Sequence, residues 1–184
     1  MHDPDAELVA RAGRGDRAAA AALMARHMPR LLTLARRMLW TQAEAEDAVQ
    51  DAFLKAWTHA ARWRPGAAKF ETWLYRVTLN ACYDRLRRKR PAGLDEAMAV
   101  ADTAPAPDAG LDAGRVAAEI EAALTTLPER QKAAILLCHF KDCGNIEAAE
   151  ILGLSVEALE SLLARGRRTL RGRLSHLRDS LGDA

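Results

Sequence analysis

Cysteine is scarce in this chain of 184 residues: three, at positions 82, 138 and 143, an odd number with no framework spacing. That argues against a disulfide-stapled scaffold and for a reduced, intracellular protein. The N-terminus, MHDPDAELVARAG, is acidic and lacks an apolar core, so no signal peptide is expected. No apolar run approaches membrane-spanning length, so no membrane insertion is expected and the cytoplasm is the expected location. Catalytic signatures are missing too: there is no GxGxxG, no Walker loop, no HExxH and no nucleophile elbow. The expectation is a non-enzyme that needs no cofactor. Cys138, His139 and Cys143 make the one cluster with possible metal ligands, and three candidates in six residues fall short of a four-ligand zinc site. No metal is expected, and the thiols read as small hydrophobes. Aromatics are only 5% of residues, but 49% apolar content is enough for helical cores.

The formal charge of +2 hides a partition. Residues 1–90 carry 17 Lys and Arg against 10 Asp and Glu; residues 91–128 carry 1 against 7; residues 129–184 carry 9 against 8. A basic front, an acidic middle and a mixed rear suggest segments that face different partners.

No Pro or Gly interrupts Phe70 to Arg90, FETWLYRVTLNACYDRLRRKR, which reads as one long helix. Phe70, Leu74, Val77 and Ala81 form one apolar stripe; Tyr75, Leu79, Cys82 and Leu86 form another. Arg76, Asn80, Tyr83 and Arg87 fall between them as an open polar strip with Trp73 at its edge. The strip runs into Arg87-Arg88-Lys89-Arg90. Cations beside a base-stacking ring suit a nucleic-acid groove. A core helix with a solvated edge and a basic C-terminal end would show the same residues.

In chain order, residues 5–13 read as a short helix, and Asp16 as the N-cap of a second that Pro29 interrupts near His27. Thr41 and Glu44 form a capping-box signature for a helix to about Thr58. Its core stripe is Ala45, Ala48, Val49, Ala52, Phe53, Ala56 and Trp57. Asp47, Gln50, Asp51, Leu54 and Lys55 recur on the opposite side as one patch, either a solvated face or a docking face with an apolar anchor. A basic loop, His59 to Lys69, carries Arg62, Trp63, Arg64 and Lys69 around the turn Pro65-Gly66. Residues 91–114, rich in Ala, Pro, Gly and Asp, read as a flexible acidic linker. Its 24 residues could span at most about 80 Å.

Beyond it, a short helix is expected from Arg115 to Leu124. The next starts near Pro128 and buries Ile135, Leu136, Leu137 and Phe140. Asn145 is the expected cap of a helix to Leu152, and Gly153-Leu154-Ser155 leads into a long helix to about Leu177. Helix, glycine turn, Ser cap and second helix is the helix-turn-helix pattern. Leu159, Leu162, Leu163, Gly166 and Leu170 face inward on the last helix. Glu157, Ser161, Ala164, Arg165, Arg168 and Arg171 face outward.

The expected architecture is all-α, with an N-terminal helical bundle over 1–90, a linker over 91–114 and a helix-turn-helix domain over 115–178. AEAEDAVQDAFLKAW, the 70–90 helix, LTTLPERQKAAILL and GNIEAAEILGLSVEALESLLARGRRTLRGRL stand in this order along the chain. Together they resemble a bacterial sigma factor of the extracytoplasmic-function class, the minimal members of the sigma-seventy family. The resemblance covers nearly all of the chain. It implies a dissociable initiation subunit whose partners are core RNA polymerase and promoter DNA. Asp47, Gln50, Asp51, Leu54 and Lys55 would dock on the polymerase. Arg62, Trp63, Arg64, Lys69, Arg76, Asn80, Tyr83 and Arg87 would read the minus-ten element, with Arg87, Arg88, Lys89 and Arg90 on phosphates. Ser155, Glu157, Ser161, Arg165 and Arg168 would meet the minus-thirty-five element.

Two residues depart from the family pattern. Trp40 stands where a glycine turn is expected, and Glu160 where many relatives carry a basic residue. Nothing resembles the autoinhibitory region of the large housekeeping members. Control is therefore expected from outside, by an anti-sigma factor covering the docking faces. A stand-alone helix-turn-helix regulator, and a metal or redox sensor with a DNA-binding domain, are the alternatives.

Overall fold

The computed structural model describes residues 3–63, 68–89, 111–141 and 143–176, with 111–113 as backbone only. Among these residues there are eight helices and no strand: α1 (Ala6–Gly13), α2 (Arg17–Met38), α3 (Gln42–Ala60), α4 (Phe70–Lys89), α5 (Leu111–Thr125), α6 (Glu129–Phe140), α7 (Asn145–Leu152) and α8 (Val156–Arg173). They form two helical domains, α1–α4 and α5–α8. Arg64, the Pro65-Gly66 turn, Arg90 and the linker stretch 91–110 lie outside the described residues.

Local chemistry sets most helix starts. The Asp16 carboxylate accepts from the amides of Ala18 (2.9 Å) and Ala19 (3.1 Å), opening α2. The Thr41 hydroxyl oxygen accepts from the Glu44 amide at 3.3 Å, and its proton goes to the Glu44 carboxylate at 2.9 Å. That reciprocal pair at the head of α3 satisfies donors the helix cannot. Ser155 caps α8 through the Ala158 amide at 3.2 Å. Gly153, at φ 65° and ψ 40°, supplies the left-handed residue that ends α7.

Pro29 does not interrupt α2, which is continuous from Arg17 to Met38. The bond Pro29 cannot donate would go to the Ala25 carbonyl, and both residues lie on the solvent side. Water can serve that carbonyl. Leu23, His27, Leu31 and Leu34 are buried on both sides of the proline and hold the two halves in line. The first described helix of the second domain already includes Leu111 to Gly114, ahead of the Arg115 expected to start it. The cap of α7 is Gly144, and Asn145 is its first helical residue. Phe140 is 44% exposed instead of buried, because it ends α6 beyond the Leu136-Leu137 core face. The described part of α8 ends at Arg173, short of Leu177.

The first domain closes on its own N-terminus. Asp3 accepts from the Phe70 amide at 2.8 Å, capping α4 from 67 residues away. Asp5 is buried and bonded to His27 Nε2 at 2.8 Å, and the Arg26 guanidinium donates to its other oxygen. Buried carboxylates of this kind persist only with partners. The end of α1 lies hard against the end of α3: a Cβ on Gly13 would stand 2.7 Å from the Ala60 backbone, so only glycine fits there.

Helix α4 buries Phe70, Leu74, Tyr75, Leu79, Ala81, Cys82 and Leu86 of the two expected stripes, while Val77 of the first is half-buried. One flank packs on α2 and α3; α7 of the second domain packs on another. The two domains therefore meet at a seam running along α4 and α2.

Candidate nucleic-acid interface and docking face

Helix α3 presents a face apart from its core. Asp47, Gln50, Leu54 and Lys55 are exposed, and Leu54 is 57% exposed. Asp51 differs from its neighbours. It is half-buried, and its carboxylate takes a 2.7 Å bond from Arg85 of α4, whose side chain is largely covered. Beside Leu54 lies a groove of about 480 Å³ between α2 and α3, lined by Met24, Met28, Leu32, Val49, Phe53 and Trp57. An apolar groove with an anchor leucine and a rim of Glu46 and Gln50 is chemically suited to receive a helix.

The described part of the basic loop closes on aromatic rings. Trp63 meets Phe70 at 5.5 Å and Trp73 at 5.8 Å, both edge to face, and His59 stacks on Trp73 at 5.2 Å. Phe70 is fully buried; Trp63 and Trp73 are half-buried. The Trp63 indole N–H is buried and finds no hydrogen-bond partner among the described residues. Arg62 is exposed and Lys69 half-covered.

The strip expected to be open on α4 is open only in part. Asn80 and Arg87 are exposed, with Arg88 and Lys89 continuing the basic end. Lys89 is already engaged, at 2.6 Å from Glu44 and over the Trp40 ring at 5.3 Å. Trp40 thus makes its corner by packing a cation against a ring where a glycine turn was expected. Arg76 and Tyr83 are half-buried. The Arg76 guanidinium donates to the backbone carbonyls of Ile151, at 3.3 Å, and Glu150. Those are last-turn carbonyls of α7, where the helix dipole is negative. The Tyr83 hydroxyl is buried and unpartnered among the described residues, and burial pushes the phenol well above the ordinary range.

On α8 the outward row is exposed as expected: Ser155, Glu157, Ser161, Arg165 and Arg168 all face solvent. Hydrogen bonds from its own backbone and from the Ser155 hydroxyl hold the Glu157 carboxyl below its ordinary value, so it is an ionised acceptor. Carboxylate and guanidinium on one helix face are the groups that meet cytosine and guanine edges in the major groove. Glu160 accepts from the Asn145 amide at 3.3 Å, pinning the start of α7 to α8. The acidic departure from the family pattern thus has a structural use.

Among the described residues, His139 and Cys143 are taken up by other partners. Lys141 donates to Cys143 Sγ at 3.3 Å, and His139 accepts from Arg167 at 3.2 Å. Burial pushes the Cys143 thiol up to about 11 and raises Cys138, whereas metal and redox chemistry use thiolates. No group of three or more His, Cys, Asp or Glu among the described residues could hold a metal ion. No described helix is long and apolar enough to cross a membrane.

The residues of the seam escaped the sequence reading. Arg37 bonds Glu121 at 2.9 Å and stacks 3.7 Å from the Phe140 ring centre. Lys141 lies 4.7 Å over the Tyr75 ring and 3.5 Å from Glu71. Lys132 is buried. Nothing in their spacing marks them, because their partners are many residues away.

Residues 23–92 match the family model for sigma-70 region 2, and residues 117–170 that for sigma-70 region 4. The extracytoplasmic-function (ECF) RNA polymerase sigma factor SigM of Mycobacterium tuberculosis is 36% identical over 94% of this chain and 86% of its own length. Among solved structures, CnrH of Cupriavidus metallidurans in complex with the cytosolic domain of CnrY is similar with a TM-score of 0.72, at 30% identity, over 95% of this chain and 99% of that one. The sigma factor RpoE in complex with the anti-sigma factor NepR from Bartonella quintana is similar with a TM-score of 0.66, at 26% identity, over 84% and 96% of the two chains.

Proposed function

Since the chain belongs to the extracytoplasmic-function class of the sigma-70 family, we propose that its surfaces divide the work of promoter recognition as follows. As a sigma factor it directs core RNA polymerase to promoters, and polymerase, not this chain, does the chemistry. The α3 face (Asp47, Gln50, Asp51, Leu54, Lys55) and the adjoining groove take the polymerase. The exposed row on α8 (Ser155, Glu157, Ser161, Arg165, Arg168) enters the major groove at the minus-thirty-five element. The basic loop with Arg62, Trp63, Arg64 and Lys69, and the α4 residues Arg76, Asn80, Tyr83 and Arg87, take the minus-ten element as it opens. Arg88, Lys89 and Arg90 add phosphate contacts that position without specifying. Working on polymerase places the protein in the cytoplasm. An anti-sigma factor, such as the one bound to the similar RpoE, is the expected antagonist.

The observation that carries this reading is that one chain exposes basic helix faces on two separate domains, the Asn80 to Lys89 end of α4 and the Arg165 and Arg168 row of α8 behind its glycine turn. The Trp63 N–H, without a partner among the described residues and beside three aromatic neighbours, supports a flipped-base pocket. Extruding a base costs a few kcal/mol, which ring contacts and a waiting donor offset. Opening then draws on tighter binding to melted than to duplex DNA, without ATP.

Run-off transcription from promoter DNA recovered with the holoenzyme tests the reading. Product is expected only when both the chain and core polymerase are present. Tight duplex binding by the chain alone, unchanged by core, would instead mark a stand-alone regulator.

Asn80 provides a sharper test, because it is exposed and its loss disturbs no packing. Asn80→Ala is expected to lower permanganate reactivity of the opened region while retardation of the initial complex stays near normal. Equal losses in both measurements would remove Asn80 from the melting step.

A further inference from the structure

We propose that Asp3, Asp5 and His27 are positioning residues for strand opening: they hold Phe70 by both its backbone and its ring, and Phe70 sets the aromatic cluster that carries the Trp63 donor. The inference rests on the flipped-base pocket proposed above and extends it to residues remote from the basic loop in sequence.

The first hold is on the backbone. Phe70 opens α4, and its amide is one of the donors that a helix start leaves without an intrahelical partner. The residues just before it, Ala68 and Lys69, have no side-chain acceptor to cap it. The acceptor comes instead from Asp3. Its carboxylate takes the Phe70 amide on one oxygen at 2.8 Å and the Asp5 amide on the other at 3.0 Å. Both acids are buried, which strengthens these bonds relative to bonds in open water.

The second hold is on the ring. Asp5 is bonded to His27 Nε2 at 2.8 Å and to the Arg26 guanidinium. That fixes the buried His27 imidazole, which lies edge to face with Phe70 at 6.0 Å between ring centres. The Phe70 ring in turn meets Trp63 at 5.5 Å and Trp73 at 6.0 Å. Of the three rings around Trp63, His59 is exposed, Trp73 is half-buried and Phe70 is fully buried. Phe70 is therefore the fixed point against which Trp63 leans.

Fixing matters because of what Trp63 offers. Its indole N–H is buried without a partner among the described residues. A hydrogen bond weakens steeply once its geometry slips, so the donor must be held within about 0.5 Å to serve an incoming base. Trp63 follows the end of α3 and is tied through its amide to the Ala60 carbonyl at 3.2 Å. Packing on the anchored Phe70 ring restrains its side chain.

The test uses holoenzyme, assembled from the full chain and core polymerase, and a fork-junction DNA. The DNA carries the recovered promoter with its minus-ten non-template strand unpaired, either intact or abasic at one minus-ten position at a time. Wild type is expected to lose about tenfold in affinity at one such position, as fits removal of a base from an aromatic pocket. In Asp3→Ala that loss should all but vanish, while core affinity and helical circular dichroism stay as in wild type. Asp3→Asn keeps an acceptor at the same place and should retain most of the loss. His27→Gln keeps a donor for Asp5 but has no ring to lay against Phe70, and its loss should fall to about threefold. Val9→Ala loosens the buried face of α1 but leaves the Asp3 carboxylate in place, and should keep the wild-type loss. The full wild-type loss in both Asp3→Ala and His27→Gln overturns the positioning role and leaves the pocket standing. An equal reduction in Val9→Ala overturns it too, because general loosening is then the cause. A wild type indifferent to abasic substitution at every position removes the pocket itself, and this proposal with it.

Discussion

Leu54→Glu is expected to lower the affinity of the factor for core RNA polymerase about 100-fold while leaving its melting temperature unchanged. Leu54 is 57% exposed and lies at the lip of the α2–α3 groove. An apolar side chain this open contributes little to folding, and glutamate is a good helix former, so the fold should tolerate it within about 0.5 kcal/mol. Anchors at the centre of an interface are worth about 2 kcal/mol or more, and a buried unpaired carboxylate adds a further penalty. Fluorescence anisotropy of labelled protein against core polymerase measures the loss; unchanged affinity would remove the groove from the docking surface. Asp51 is a poorer probe of the same face. Its carboxylate holds Arg85, so Asp51→Arg would set two guanidinium groups together and disturb the α3–α4 contact as well.

The second large effect is a gain of stability. Lys132→Met is expected to stabilise the protein by about 3 kcal/mol at neutral pH, as a ceiling, and to raise the melting midpoint by roughly 5–10 °C. Lys132 sits in the apolar run of α6, and burial drives its ammonium down to about 8, against partial support from Glu121 and Cys82. Among the described residues no ion pair reaches it. Replacing a largely buried charge that Glu121 supports only in part by an apolar chain of similar length removes the desolvation cost.

The sign with pH follows. Below about 8 the amine is protonated in both states and the full cost is present. Between about 8 and 10.5 the unfolded chain binds the extra proton, so this group stabilises the fold increasingly as pH rises. Cys82, Cys143 and Tyr75 act oppositely. Burial raises them to about 12, 11 and 12, so their unfolded forms ionise first and alkali weakens the fold. The wild-type profile mixes both senses. The difference between wild type and Lys132→Met isolates the lysine, and it should shrink from pH 8 to pH 10.5 in thermal melts. A constant difference would refute the assignment.

The solvent-facing row of α8 was legible in the sequence because a helix-turn-helix is a local object. Its glycine turn, Ser cap and outward spacing all lie within a few residues of one another. The capping box at Thr41 was legible for the same reason. Pro29 shows where local reading fails. Proline removes one bond, but the penalty depends on whether water or core surrounds the orphaned carbonyl, which is a matter of tertiary position. Asn145 and Phe140 show it again at helix ends, where the choice of cap and the last buried turn depend on what packs alongside.

The strip on α4 marks the division most sharply. Periodicity placed Arg76, Asn80, Tyr83 and Arg87 on one face, and that is correct. It could not say that α7 would lie across the first and α6 near the third. Chain order and side-chain chemistry by themselves determined the helices in outline, the caps at Asp16, Thr41 and Ser155, the α8 row and the family. Only the packed structure decided that Asp3 would cap α4, that Asp51 would be spent on Arg85, and that Arg76 would be held by another domain. Each of those contacts joins residues at least 34 apart in the chain. No short-range pattern encodes them, because a charge takes whichever partner folding brings within reach.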